Sequence, residues 1–265
     1  MGRLADVRIA RFTTGNDPAF GVIDVANGDQ FVGELVGDPL LRGIELTGQR
    51  FPLDEVRLLA PVLPRSKVVC LGRNYADHAS EMGNEVPAEP LIFIKPNTSV
   101  IGPGEPVVYP PQTSDLHYEG ELAVVIGRIC KDVPVDRSAE VIFGYTIGND
   151  VTARDLQRND VQFTRSKSFD TFCPLGPWIE TELDPSDLAL TTSLDDKIKQ
   201  AGRTSQMVFD VPSIIAYISS VMTLLPADVI LTGTPAGVGP MQVHDEVTVS
   251  IEGIGDLTNT VVSRD

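Results

Sequence analysis

Two glutamates, Glu119 and Glu121, are separated by a single glycine and precede an apolar, partly β-branched run. Such a run predicts a strand, in which alternate side chains leave the same face, so the two carboxylates should lie side by side. Carboxylates held this close repel each other unless one is protonated or a cation lies between them. The pair therefore indicates a divalent metal site or, alternatively, a solvated strand edge, because glutamate is mostly exposed in proteins.

A third carboxylate, Asp150, follows the predicted strand at residues 141–147 and should point into a rim. An all-oxygen set suits hard cations, so Mg²⁺ or Mn²⁺ is favoured, Ca²⁺ is compatible, and Zn²⁺, which prefers histidine and cysteine, is disfavoured. Asp150 is equally suited to cap a helix predicted from Val151 to Gln157. Three carboxylates outweigh a divalent charge, so an anionic substrate would also need nearby cations, for which Lys167 and Arg73 are candidates.

His78 and Glu81 lie three residues apart on a short helix predicted from Tyr75 to Met82, and would share a face. A carboxylate that orients an imidazole produces a general base able to take a proton from water. A solvated helix face is the alternative. His117 shares the face of Glu119 and receives no assignment.

The glycine-rich segment from Gly233 to Gly239 lacks the Gly-Lys-Ser/Thr ending of a P-loop and does not match GxGxxG, so it gives little support to nucleotide binding. It predicts either a plain turn or a turn whose backbone amides, with the Thr234 hydroxyl, hold a carboxylate.

The bulk composition excludes several classes of protein. The 265 residues carry a formal net charge of -16, which disfavours nucleic acid and anionic membrane surfaces as partners. The three cysteines show no CxxC or close spacing, and their settings predict buried, unpaired thiols. Neither a basic-then-apolar leader nor a run of about 18 apolar residues appears, so we expect a soluble cytoplasmic protein.

The strands and helices predicted to position these residues together indicate a mainly β fold with flanking helices (α+β). Residues 1–60 read as a small N-terminal β domain with a hairpin at Asn27-Gly28, and residues 65–265 as the domain that carries the chemistry. The strongest helix runs from Val211 to Leu225, with Asp210 as its cap.

Five motifs occur in an order that resembles the fumarylacetoacetate hydrolase family, over about residues 65–262. They are Gly72-Arg73-Asn74-Tyr75-Ala76-Asp77-His78-Ala79-Ser80-Glu81, Tyr118-Glu119-Gly120-Glu121-Leu122, Gly148-Asn149-Asp150, Lys167-Ser168-Phe169-Asp170-Thr171-Phe172 and Leu231-Thr232-Gly233-Thr234-Pro235. The resemblance implies a mixed β-roll core, a homodimer, and Mg²⁺ or Mn²⁺ bound by Glu119, Glu121 and Asp150.

By the same resemblance, His78 and Glu81 lie on a lid that closes over the substrate and activates a water, and Lys167 is the third catalytic residue. Substrate contacts are expected from the residues that match the remaining positions, namely Arg73, Tyr75, Gln157 and Thr234.

The chemistry implied is C–C cleavage in small anionic 2-oxo or 2,4-dioxo acids through a metal-stabilised enolate. Acylpyruvate hydrolysis and oxaloacetate decarboxylation both fit, and isomerisation of 2-hydroxyhepta-2,4-diene-1,7-dioate in aromatic catabolism is the alternative. Outside this class, the chain would be a non-catalytic Ca²⁺-binding module, a function that leaves the His78 segment without a purpose.

Overall fold

The computed structural model describes residues 7–26 and 28–264. It confirms a mainly β fold with a few helices. The strands are β1 (Arg8–Thr13), β2 (Ala19–Ala26), β3 (Asp29–Leu35), β4 (Leu46–Pro52), β5 (Arg57–Leu59), β6 (Val68–Gly72), β7 (Leu91–Lys95), β8 (Val100–Ile101), β9 (Val107–Tyr109), β10 (Leu116–Tyr118), β11 (Gly120–Ile126), β12 (Ile142–Asn149), β13 (Thr152–Ala153), β14 (Cys173–Glu180), β15 (Ala189–Leu194), β16 (Lys197–Arg203), β17 (Val229–Leu231), β18 (Gly239–Pro240), β19 (Glu246–Ile251) and β20 (Gly255–Ser263). The α-helices are α1 (Pro39–Arg42), α2 (Ala76–Glu81), α3 (Arg154–Asn159), α4 (Thr164–Lys167) and α5 (Val211–Val221).

A large mixed sheet organises the chain in the order β4-β3-β2-β1-β14-β12-β11-β17-β6-β7. A second sheet follows the order β16-β15-β19-β20-β9, and a third joins β13, β10 and β18. Most neighbours are antiparallel, but β17 pairs with β6 in parallel, as β14 does with β8 and β20 with β9. These mixed sheets agree with the mixed β-roll core implied by the resemblance.

Strand β11 lies at the centre of the main sheet, between β12 and β17, and all seven of its residues are buried. One of its faces packs against α5 and the second sheet, in a cluster that includes Leu122 and Ile214. The other face contributes Ala123 and Val125 to a separate core cluster. This central position gives the glutamates at the start of β11 a rigid support.

The first strand joins the main sheet directly, since β1 pairs with β14 at Arg8↔Glu180 and Ile9↔Ile179. Strands β2 and β3 pair antiparallel up to Ala26↔Asp29, as expected for the predicted hairpin. Asn27, the first turn residue of that hairpin, lies outside the described residues.

Two predicted helices differ from the observed ones. The helix expected from Val151 begins only at Arg154, because Thr152 and Ala153 form β13 and pair with β10. Helix α5 begins as predicted, with the Asp210 carboxylate accepting a hydrogen bond from the Ser213 amide, but it ends at Val221. The chain beyond Val221 turns to bridge Leu224 to Cys130, so pairing overrides helix propensity there as well.

The cysteines are buried and unpaired, as predicted. Across the described ranges, no helix is long and apolar enough to cross a membrane.

Candidate active site

The three predicted carboxylates meet at one point. Glu119 lies between β10 and β11, Glu121 is the second residue of β11, and Asp150 follows β12 directly. The Asp150 amide donates a 2.8 Å hydrogen bond to the Glu119 carbonyl, which ties the two segments together. One oxygen from each carboxylate lies within 4.8 Å of the other two. All three residues are at most 4% exposed, so the alternative of a solvated strand edge is wrong.

The carboxylate of Asp150 does not cap α3, because Ala153 occupies the N-cap position and no side chain bonds the helix start. Asp150 instead accepts hydrogen bonds from two lysines. Lys167 lies 2.6 Å from its Oδ2, and the buried Lys95 bonds its Oδ1. Because these bonds hold Asp150 at the centre of the cluster, the capping alternative is also wrong.

Three buried cations surround the three carboxylates. The Lys167 ammonium donates to Glu119 at 2.7 Å and to Asp150, and the Arg154 guanidinium pairs with the other oxygen of Glu119. Lys95 completes the set through Asp150 and the Val151 carbonyl, 3.1 Å away. With all six groups ionised, the cluster has no net charge.

The two glutamates experience opposite electrostatic environments. Burial alone would raise the pKa of Glu119, but Lys167 and Arg154 outweigh burial and hold this pKa below its ordinary value. At Glu121, burial and then repulsion from Asp150 and Glu119 raise the pKa well above its usual range. Burial would lower the pKa of Lys167, but Asp150 and Glu119 more than compensate and keep the ammonium charged.

Glu121 provides the best indication that a divalent cation fits this site. One of its oxygens accepts a 2.6 Å hydrogen bond from the Gly233 amide, yet none of the ion pairs among the described residues includes Glu121. A buried carboxylate next to two others, with no cation of its own, is costly. The lysine- and arginine-bonded oxygens of Glu119 and Asp150 retain free lone pairs for a metal. The donor set therefore fits a hard divalent cation.

A cavity of about 260 Å³ opens beside this cluster. Glu119, Glu121 and three of the four predicted substrate-contact residues line it, together with two phenylalanines. Its lining is formed by Leu71, Gly72, Arg73, His78, Met82, Asn84, Phe93, Glu119, Glu121, Arg154, Gln157, Arg158, Phe163, Lys167 and Thr234. The size suits a small organic acid.

His78 is buried on α2 and faces the cavity, with its Nδ1 3.4 Å from Glu81 Oε2. The Glu81 carboxylate is held in turn by the Gly237 amide, which lies 3.1 Å from both oxygens. The glycine-rich segment therefore binds carboxylates through its backbone amides, as one sequence interpretation proposed. The carboxylates are the chain's own Glu121 and Glu81.

The four residues predicted to contact substrate differ in whether they line the cavity and in whether their polar groups are already hydrogen-bonded. Arg73 and Gln157 line the cavity, and Gln157 accepts a 2.5 Å hydrogen bond from Arg154. The Thr234 hydroxyl donates its proton to the Gly120 carbonyl at 2.8 Å, so it cannot donate to a substrate. Tyr75 is buried outside the lining, and burial followed by the charge of Glu121 raises its pKa.

Sequence reasoning missed Arg154 and Lys95. Both had a recognisable signal. Lys95 ends an otherwise apolar strand before a proline, a setting in which a lysine is rarely buried without a partner. Arg154 lies three residues before Gln157 on the predicted helix, the spacing of side chains that meet.

Two family models match the chain. "Fumarylacetoacetate (FAA) hydrolase C-terminal" matches residues 67–262, and "Rv2993c-like, N-terminal" matches residues 7–61. A crystal structure of 5-carboxymethyl-2-hydroxymuconate delta-isomerase from Mycobacterium smegmatis is 50% identical, with a TM-score of 0.90 over 97% of this chain and 100% of that one. The human mitochondrial oxaloacetate tautomerase FAHD2A is 44% identical over 80% of this chain and 71% of its own length.

A third similarity concerns the metal. The structure of fumarylpyruvate hydrolase from Pseudomonas aeruginosa in complex with Mn²⁺ and pyruvate is 33% identical, with a TM-score of 0.73 over 82% of this chain and 93% of that one. That protein therefore binds both a divalent metal and a 2-oxo acid.

Proposed function

Because the chain belongs to the fumarylacetoacetate hydrolase family, we propose that it is a divalent-metal-dependent enzyme that acts on small 2-oxo or 2,4-dioxo acids. The observation that carries this proposal is the buried cluster in which three carboxylates are balanced by three cations beside one small cavity. A divalent ion would leave this site with an excess of positive charge, which favours an anionic substrate despite the net charge of -16.

A Mg²⁺ or Mn²⁺ ion bound to Glu119, Glu121 and Asp150 would act as a Lewis acid that stabilises negative charge on the oxygens of a 2-oxo acid as it becomes an enolate. Cationic side chains around the cluster would also stabilise this negative charge on the substrate oxygens. Lys167 uses two of its three N–H donors on Glu119 and Asp150, so one remains for a substrate oxygen.

Arg154 and Gln157 form the wall of the cavity next to Lys167. The Arg154 Nε is buried and has no hydrogen-bond partner within the described part of the chain. Gln157 accepts from Arg154 through its carbonyl oxygen, so its amide N–H groups are free to donate. We assign these donors the role of orienting the carboxylate of a substrate at the cluster.

His78 serves as the base. Glu81 lies within reach of its Nδ1, and His78 lines the cavity in which a water or a substrate proton would lie. Proton removal from water leads to hydrolysis of a 2,4-dioxo acid. Proton removal from carbon leads to isomerisation or tautomerisation.

Two reactions are therefore candidates. In C–C cleavage, acylpyruvate hydrolysis is supported by the His78–Glu81 pair, and oxaloacetate decarboxylation by the adjacent cationic cluster. A proton shift, of the kind that converts 2-hydroxyhepta-2,4-diene-1,7-dioate, is supported by the names of the tautomerase and isomerase relatives. Both use the same site and the same enolate.

Removal of the metal tests the proposal. Protein stripped with a chelator should lose turnover of acylpyruvate, oxaloacetate and dienoate substrates, and should regain it with Mg²⁺ or Mn²⁺. Glu119→Ala should abolish turnover, since it removes one ligand and leaves Lys167 and Arg154 with an unpaired excess of charge. Glu140→Ala, at an exposed ion pair with Arg137, is the control. Full activity of Glu119→Ala on every substrate would contradict the metal site.

The homodimer and the cytoplasmic location remain proposals. Light scattering of the purified protein would test the first, and fractionation of cells that produce it would test the second.

A further inference from the structure

Gly120 separates the two glutamates. On the edge of β11 that faces β17, its amide and carbonyl groups form hydrogen bonds with side chains. Strand β17 pairs with β11 only at residues 123–125, so it does not reach Gly120. The Gly120 amide donates a 3.0 Å hydrogen bond to Gln200 Oε1, and its carbonyl accepts a 2.8 Å hydrogen bond from the Thr234 hydroxyl. The position of the carboxylate-bearing strand therefore depends on these two side chains.

The Gln200 side chain is completely buried, and its whole amide is engaged. While Oε1 accepts from Gly120, Nε2 donates to Thr234 Oγ1 and to the Pro235 carbonyl, each at 2.8 Å. One amide thus connects the strand that carries Glu119 and Glu121 to the glycine-rich loop that follows β17.

The same loop determines the orientation of two carboxylates at the site. Its Gly233 amide bonds Glu121, and its Gly237 amide bonds Glu81. The loop packs tightly on β16, the strand that contains Gln200. A Cβ at Gly237 would overlap the Lys199 carbonyl, and one at Gly202 would lie 2.7 Å from Pro235 Cβ.

We propose that Gln200 is a positioning residue, whose amide fixes the glycine-rich loop against β11 and thereby orients Glu121 for the metal and Glu81 for His78. The inference rests on the proposed function in one respect, the metal-binding role of Glu119 and Glu121. A buried hydrogen-bonding side chain that orients metal ligands acts much as an outer-shell partner does.

A comparison of two buried amides tests this role. Gln200→Met keeps the length and apolar packing of the side chain but removes all three hydrogen bonds. Asn259→Leu is the matched control, because Asn259 is also buried and donates to the Gly102 and Glu105 carbonyls, outside the cavity lining. Mn²⁺ affinity of the chelator-stripped proteins, by electron paramagnetic resonance, and thermal stability would be measured for both.

We expect Gln200→Met to weaken Mn²⁺ binding by about tenfold or more, and Asn259→Leu to leave it near the wild-type value at a comparable loss of stability. Equal Mn²⁺ affinity in Gln200→Met and wild type, or an equal loss in both variants, would overturn the inference. If Gln200→Met does not fold, Gln200→Asn replaces it, since the shortened amide cannot span both Gly120 and the loop. Wild-type affinity in Gln200→Asn would likewise overturn the inference.

Turnover separates this inference from the proposed function. Wild-type protein that binds Mn²⁺ but converts none of the three substrate classes would refute the proposed reactions, while the affinity comparison would still decide the role of Gln200. In an active enzyme, Gln200→Met should lower kcat more than it raises KM, because it displaces reacting groups rather than the outer cavity wall.

Discussion

At the scale of single residues, the proposed general base, His78, depends on a series of contacts. The Gly237 amide holds Glu81, and Glu81 Oε2 lies 3.4 Å from His78 Nδ1. Of these three residues only His78 lines the cavity, which supports the imidazole as the proposed proton-transfer group.

His78→Ala should therefore distinguish between the candidate reactions. We expect it to lower acylpyruvate hydrolysis by about 10² to 10⁴-fold, since that reaction needs an activated water. Decarboxylation of oxaloacetate breaks its bond without attack by water, so it should decline much less. Steady-state kinetics on both substrates would measure the difference. An equal loss in the two reactions would contradict the separate role given to the base.

Lys95 controls the charge of the cluster from a fully buried position next to Asp150. Lys95→Met would leave the cluster one positive charge short. We expect Mn²⁺ to bind at least about tenfold more tightly and KM for an anionic substrate to rise, because one change removes repulsion from the metal and attraction for the substrate. Calorimetry with Mn²⁺ and steady-state kinetics would measure the two effects.

Lys67→Met is the matched control for this variant. Lys67 forms a similar ion pair with the buried Asp228, at 2.6 Å, but does not line the cavity. Lys67→Met should lower the free energy of unfolding without changing Mn²⁺ affinity. Weaker Mn²⁺ binding in Lys95→Met would show that the lysine acts by holding Asp150 in place rather than through its charge.

At the scale of elements, the site depends on how closely β11 approaches the second sheet. A Cβ on Gly120 would overlap Thr192 Oγ1 on β15 and would lie 2.9 Å from Val249 Cγ1 on β19. The absence of a side chain between the two glutamates therefore allows the sheets to meet.

Gly120→Ala should lower the free energy of unfolding by about 1 to 3 kcal/mol through overpacking. The double variant with Thr192→Ala should recover part of this loss, since it removes the overlapping hydroxyl. In the control Gly37→Ala, the new methyl group meets only the flexible Arg42 side chain, at 3.3 Å, and should have little effect. Denaturant titrations would measure the three values. A Gly120→Ala protein as stable as wild type would show that the two sheets have room to separate.

At the scale of the whole molecule, two fields of opposite sign would act on the proposed anionic substrate. The net charge of -16 would repel it at long range, whereas the cluster with its proposed metal bound would attract it at short range. Salt screens the long-range field between exposed charges far more than it screens buried pairs.

We therefore expect kcat/KM for a dicarboxylate substrate to rise as ionic strength increases from about 10 mM to about 150 mM, over which the Debye length shortens from roughly 30 Å to 8 Å. Kinetics in KCl at constant metal concentration would measure the change. A kcat/KM that falls over this range would mean that exposed cations near the cavity, such as Arg158, dominate the approach of the substrate.

Much of the site was predictable because it depends on local spacing. Glu119 and Glu121 alternate along one short segment, and His78 and Glu81 lie one helical turn apart, so their proximity follows from backbone geometry alone. The position of Asp150 after a predicted strand added a third carboxylate, and the family resemblance gave Lys167 a catalytic role. By contrast, the helix expected at Val151 yields to strand pairing, a contact between segments about 36 residues apart in the sequence.

The sequence by itself determined which carboxylates gather and which family the chain resembles, because both are written in residue type and spacing. Only the tertiary structure decided what surrounds those carboxylates. Lys95, Arg154 and Gln200 come from different elements. Lys95 and Arg154 pair with the carboxylates, and Gln200 bonds the backbone of Gly120 between two of them, because the sheets bury polar groups that must then be paired. Lys95 and Arg154 each stand out locally, but their carboxylate partners, Asp150 and Glu119, lie 55 and 35 residues away, so local spacing does not identify those partners.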